Sequence, residues 1–197
     1  MRKAVGMFGL VCALVLLACA WEYMQNGQVR FLTVANIRNL LTWVGLFGIL
    51  SLAQAFVIIT GGIDLSVGSV VGLMGITAAM LLNRGGWHPS LVIPGVLFLA
   101  GGVGLYHGLL ITKARMQPFV VTLCGLFFYR GIARFIAGDA TQGFGSGFQT
   151  LRWLGRGFLP QETSIIPVPF CIFLLMAVVA GAFLHFSAPG RHLFALG

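Results

Sequence analysis

FVIITGGIDLSVGSVVG, residues 56–72, joins two apolar runs through a glycine pair and a single carboxylate, Asp64. No other acidic residue lies between Glu22 and Asp139. A carboxylate at the centre of a membrane helix costs about 2.5–3.5 kcal/mol on insertion scales, so something must offset it. Two accounts of the stretch stand side by side. In one, Gly61 and Gly62 break a helix at a membrane face, and Asp64 or Ser66 caps the next helix. In the other, the break lies inside the protein, and free backbone groups together with Asp64 help shape a passage.

Outward from this stretch the chain is almost uniformly apolar. A membrane-spanning helix needs about 20 mostly apolar residues. Six segments meet that length: roughly residues 4–23, 40–60, 65–82, 91–112, 119–137 and 166–186. Each is apolar nearly all round, without the stripe of a soluble helix. Backbone groups in lipid must be satisfied internally, which favours helices. The short alternating segments of a β-barrel are absent. The fold class expected is an all-α membrane protein of about six transmembrane helices. Residues 1–197 form a single transmembrane domain, within which residues 138–164 are a polar connector with a short surface helix around Phe148 to Leu154. Turn chemistry separates the other runs, at Asn83 to Pro89 and at Lys113 to Pro118.

Composition agrees. Of 197 residues, 58% are hydrophobic and 8% charged, with mean hydropathy +0.98. A soluble domain carries about 25% charged residues. The net charge of +8 comes from residues lying mostly between or at the ends of apolar runs. That placement suits anionic lipid headgroups and not nucleic acid. Cys12, Cys19, Cys124 and Cys171 lie in apolar runs with no CxxC pair, and read as small buried or lipid-facing side chains. The first apolar run also resembles a secretory signal, with a weak lipoprotein-like Leu16-Leu17-Ala18-Cys19. The apolar chain that follows favours an uncleaved first helix. Lys and Arg divide evenly between the two sides of a six-span arrangement, so charge bias does not orient it. Arg2 and Lys3 beside the first helix favour a cytoplasmic N-terminus.

Few side chains carry chemistry. His88, His107, His185 and His192 show no metal-ligand spacing. No nucleophile–base set, phosphate loop or paired carboxylates occur, so neither catalysis by this polypeptide nor a cofactor is expected. Arg130 and Arg134 lie one turn apart in the fifth run. Arg134 can snorkel to a headgroup. Arg130 is deeper and needs water or a partner, for which Asp64 is the acidic candidate. Small residues at four-residue spacing, Gly68 with Gly72 and Ala100 with Gly104 and Gly108, allow close helix approach. Gln54, Thr60, Asn83, Thr122 and Tyr129 are polar candidates for a solute path, set against ordinary packing roles.

Residues 56–72 closely resemble the hallmark of the ribose/xylose/galactose-type ABC permeases. Two further stretches agree in order. Residues 116–125 (MQPFVVTLCG), leading to Tyr129-Arg-Gly-Ile-Ala133, look like the segment after that family's central cytoplasmic turn. Residues 155–159 (GRGFL), 166–170 (IPVPF) and 190–197 (GRHLFALG) look like its later periplasmic loop, helix and return. The resemblance implies a bacterial inner-membrane permease subunit of an ATP-driven monosaccharide importer. Its partners would be a second permease subunit, alike or different, a cytoplasmic ABC ATPase and a periplasmic sugar-binding protein. Gly61, Gly62, Asp64, Ser66 and Gly68 map onto the signature, with Arg130 as a further candidate for the translocation path. In the family, the segment resembling residues 191–197 runs on into a cytoplasmic loop that docks on the ATPase. The expectation is therefore an incomplete permease that alone neither binds the ATPase nor supports uptake. The alternative is a membrane scaffold remnant that moves no solute.

Overall fold

Lipid offers the backbone no hydrogen-bond partners, and every apolar run resolves that constraint as a helix. The computed structural model describes residues 2–145, 147–159 and 165–196. Its elements are α1 (Arg2–Asn26), α2 (Val34–Ile59), α3 (Val67–Asn83), α4 (Pro89–Thr112), α5 (Pro118–Ala137), α6 (Gln149–Arg156), β1 (Phe158–Leu159), β2 (Ile166–Pro167), α7 (Val168–Phe186) and α8 (Ala188–Leu196). Among the described residues five helices, α1, α2, α4, α5 and α7, are long and apolar enough to cross a membrane. The third expected span is shorter. α3 has 17 residues, about 25 Å at 1.5 Å per residue, against a hydrocarbon core of about 30 Å.

The helix ends follow local chemistry. Pro89 and Pro118 occupy the first turns of α4 and α5, where a missing N–H costs nothing. His88 caps α4 by accepting from the Ser90 N–H at 3.3 Å. Gly138, at φ +62°, ends α5 in the left-handed conformation that glycine adopts without strain. The expected surface helix is α6. The two-stranded ladder after it, Phe158 opposite Pro167 and Leu159 opposite Ile166, was not anticipated. Strands of two residues carry no periodicity to read.

Two compact units divide the chain, the boundaries falling within α2 and α7 and near the start of α6. The first comprises Met1–Ile49 and Leu151–Ala177. Here α2 meets α7 closely: a Cβ on Gly45 would lie 2.5 Å from the backbone of Pro169 and Phe170. Only glycine permits that approach. The Glu22 carboxylate accepts from the Phe31 N–H at 2.8 Å and ties the end of α1 to the turn before α2.

The second unit comprises Leu50–Thr150 and Val178–Gly197. In it α3 packs on both α4 and α5. Leu73, Tyr129 and Ala133 form the centre, with Val70, Met74, Ile76, Val103 and Ile132 against them. Most other apolar side chains face outward. Phe135 is 88% exposed, and Phe98 and Phe186 are 83% exposed. Apolar surface of this extent needs lipid or another apolar chain to cover it.

Candidate functional site

The signature stretch folds as a helix stop, an extended bridge and a helix start. α2 is terminated by paired bonds: the Gly61 N–H reaches the Ile58 carbonyl at 2.9 Å, and the Gly62 N–H reaches Val57 at 2.9 Å. Gly61 is left-handed, at φ +71°. These are the bonds of a Schellman stop, which places glycine at the left-handed position. A Cβ on Gly62 would lie 3.2 Å from Val57 Cγ1, so the second glycine admits the close contact that seals the stop. The Thr60 hydroxyl turns back onto the Val57 carbonyl at 2.9 Å.

Residues 62–66 then run without regular structure before α3 begins at Val67. Asp64 Oδ1 accepts from the Ser66 N–H at 2.7 Å and from the Ser66 hydroxyl at 2.6 Å. The carboxylate therefore folds over the start of α3 as an Asx turn. Ser66 is nearly fully buried and makes no side-chain cap of its own. Its carbonyl accepts from the Ser69 hydroxyl at 2.7 Å.

Two side chains from other parts of the unit hold the bridge. The Thr122 hydroxyl on α5 donates to the Ile63 carbonyl at 3.2 Å, while also lying 2.9 Å from the Pro118 carbonyl. The Gln54 amide on α2 donates to the Asp64 carbonyl at 3.2 Å. Backbone carbonyls that have left helical bonding thus find donor partners on side chains, as irregular backbone within a membrane protein must. Asp64 thus caps α3 with its side chain and is anchored through its carbonyl.

The other candidates divide. Tyr129 is buried, and its hydroxyl pairs with His107 Nε2 at 3.0 Å, linking α5 to α4. Gly125 makes room for this pair, since a Cβ there would sit 2.8 Å from the imidazole. From the sequence His107 carries no role beyond its lack of metal-ligand spacing, and Gly125 carries no packing role. Their relation appears only when two helices pack. Asn83 bonds the Gly143 carbonyl and ties the end of α3 to the connector. Gly68 and Gly72 have open space where a Cβ would go, as do Gly104 and Gly108. These small faces are not filled by other described residues.

Arg130 and Asp64 form no ion pair. Among the described residues the ion pair is Arg134 with Asp139, at 2.8 Å and largely exposed. The reason is axial position. The bridge is fastened at Thr122, eight residues and about 12 Å along α5 from Arg130, and Asp64 is already engaged by Ser66. Arg130 is exposed on α5.

Residues 36–197 match the family described as the permease component of the branched-chain amino acid transport system. The chain is 37% identical over 171 residues to the ribose import permease RbsC of Bacillus subtilis, covering 85% of this chain and 50% of RbsC. It is 33% identical over 168 residues to the inner membrane ABC transporter permease YjfF of Escherichia coli, covering 85% of this chain and 50% of YjfF. It is 32% identical over 159 residues to the xylose transport permease XylH of Escherichia coli, covering 81% and 39%. The chain thus spans about half the length or less of these relatives. No solved structure matches. Apolar helices long enough to span a membrane and a family match over most of the chain agree, and the chain belongs to this family of ABC-transporter permease components.

Proposed function

We propose that the chain supplies the translocation-side part of a permease subunit that imports a monosaccharide, driven by ATP hydrolysis on a separate ABC ATPase. The observation that carries this reading is the bridge at residues 62–66, an interrupted helix held by Thr122 and Gln54. Interrupted helices bring backbone polar groups and half-helix ends to a solute path. The sugar-import names of RbsC and XylH favour a monosaccharide over an amino acid. A second permease subunit, a cytoplasmic ATPase and a periplasmic sugar-binding protein complete the assembly, in a bacterial inner membrane with the N-terminus cytoplasmic. The unfilled small-residue faces around Gly68 and Gly104 suit contact with further helices.

A chimera tests the reading. Residues 1–197 are joined to the remaining C-terminal part of Bacillus subtilis RbsC and expressed with that importer's ATPase and binding protein, in cells lacking their own ribose permease. Uptake of labelled ribose is expected from the chimera and not from residues 1–197 alone. A chimera that reaches the membrane, co-purifies with the ATPase and still moves neither ribose nor xylose would refute the monosaccharide reading.

A further inference from the structure

Beside the N-terminal half of α2 lies a cavity of about 400 Å³, lined by Asn39, Thr42, Trp43, Leu46, Arg156 and Phe158 among others. All of these residues belong to the first unit. Arg38 stands against one wall, its guanidinium carbon 5.0 Å from the centre of the Phe158 ring. Its Nε is buried and has no hydrogen-bond partner among the described residues. Buried polar groups are almost always satisfied, so an unpartnered one calls for an explanation. Stacking on Phe158 fixes the guanidinium plane in advance, which suits a planar fork for an oxyanion.

The charge at this site is one-sided. Arg38 and Arg156 are cations, and the unit's described carboxylate, Glu22, is bonded to the Phe31 N–H. Among the described residues neither Arg38 nor Arg156 has a paired acid, and two such positive charges select an anion. The wall chemistry then separates a lipid from a soluble ion. Trp43 and Leu46 make one side apolar. Trp43 stacks on Phe47 at 5.6 Å, and both are exposed along the outer face of α2. A ligand seated here meets Arg156, with Arg38 beside it on the Phe158 ring, and an aromatic, apolar track running along the helix. Tryptophan at a membrane–water boundary marks the headgroup level.

We propose that this cavity is a specific site for an anionic phospholipid. Arg38 and Arg156 take the phosphate, the Asn39 amide donates to the headgroup, and an acyl chain lies along Trp43 and Phe47. A headgroup here would compensate the cluster of positive charge at this end of the first unit.

The full chain is reconstituted in phosphatidylcholine vesicles containing a minority of dibrominated phosphatidylglycerol or, in parallel, the same minority of dibrominated phosphatidylcholine. Tryptophan emission reports contact. Two arginines at headgroup level give roughly a thirtyfold preference for anionic lipid. Stronger quenching by the brominated phosphatidylglycerol is expected, and W43F should remove most of the difference. R38Q combined with R156Q should also abolish it, while R38K retains part. Equal quenching of the wild-type chain by the two lipids would overturn the site without recourse to any variant. Displacement of the brominated lipid by inorganic phosphate would overturn it in favour of a soluble anion.

Discussion

Asp64 makes two kinds of contribution that substitution can separate. Its Oδ1 satisfies the Ser66 N–H and hydroxyl, and asparagine can do the same without charge. D64A is expected to lower stability by about 1 kcal/mol, as loss of a helix cap does, and D64N by much less. Thermal unfolding in detergent reads this difference. If the charge itself serves transport, D64N will impair ribose uptake by the chimera while leaving the melting temperature nearly unchanged. Equal uptake by D64N and wild type would reduce Asp64 to a cap. Gly61 offers a second residue-level test. An alanine in its left-handed conformation is expected to cost roughly 1–2 kcal/mol, visible as a lower unfolding midpoint for G61A. The glycine pair, the lone carboxylate and the following serine were all legible in the sequence, because each is costly or unusual beside hydrocarbon. Which atoms Asp64 engages was not legible. An Asx turn onto Ser66 and an ion pair with Arg130 use the same residue type.

Helices in this chain pack through points where side chains are absent. At Gly45 the crossing with α7 leaves no room for a Cβ. G45V is expected to destabilise by about 1–3 kcal/mol through overpacking. Valine at Gly104, where the Cβ site is open, should leave the stability of the isolated chain nearly unchanged. Chemical unfolding of the two variants side by side checks the contrast. The bridge between α2 and α3 is an element held by its neighbours. T122V and Q54A each remove one side-chain bond to it, with an expected net loss of about 0.5–1.5 kcal/mol. Because both bonds fix the same short segment, the double variant should depart from additivity. A double-mutant cycle with strictly additive losses would show that the two anchors act on independent pieces of backbone. Helix positions were readable from run length, and helix ends from Pro89, Pro118 and Gly138. The short ladder of β1 and β2 was not, since two residues per strand leave no pattern.

At the scale of the whole chain, apolar side chains on the outer faces of α1, α2, α4, α5 and α7 require a bilayer or further helices around them. The proposed orientation puts the 138–164 connector on the periplasmic side. A single cysteine at exposed Ala140, in a chain with its four native cysteines replaced by serine, should react with a membrane-impermeant maleimide in intact spheroplasts. Labelling only in inverted vesicles would reverse the orientation. What the sequence determined alone was solvent and element type. Both follow from local quantities: apolar run length, the scarcity of charge, and breaks at glycine and proline. The resemblance of residues 56–72 carried the family as well, because that order of residues is long and specific. Tertiary structure alone decided the partners of each polar group. Thr122 and Gln54 hold the bridge, Tyr129 pairs with His107 over Gly125, and Arg38 lies on Phe158. Apart from the bridge to Gln54, these contacts join residues far apart in the chain. Their choice depends on how the helices are rotated and offset, which in nearly uniform apolar runs no local signal specifies.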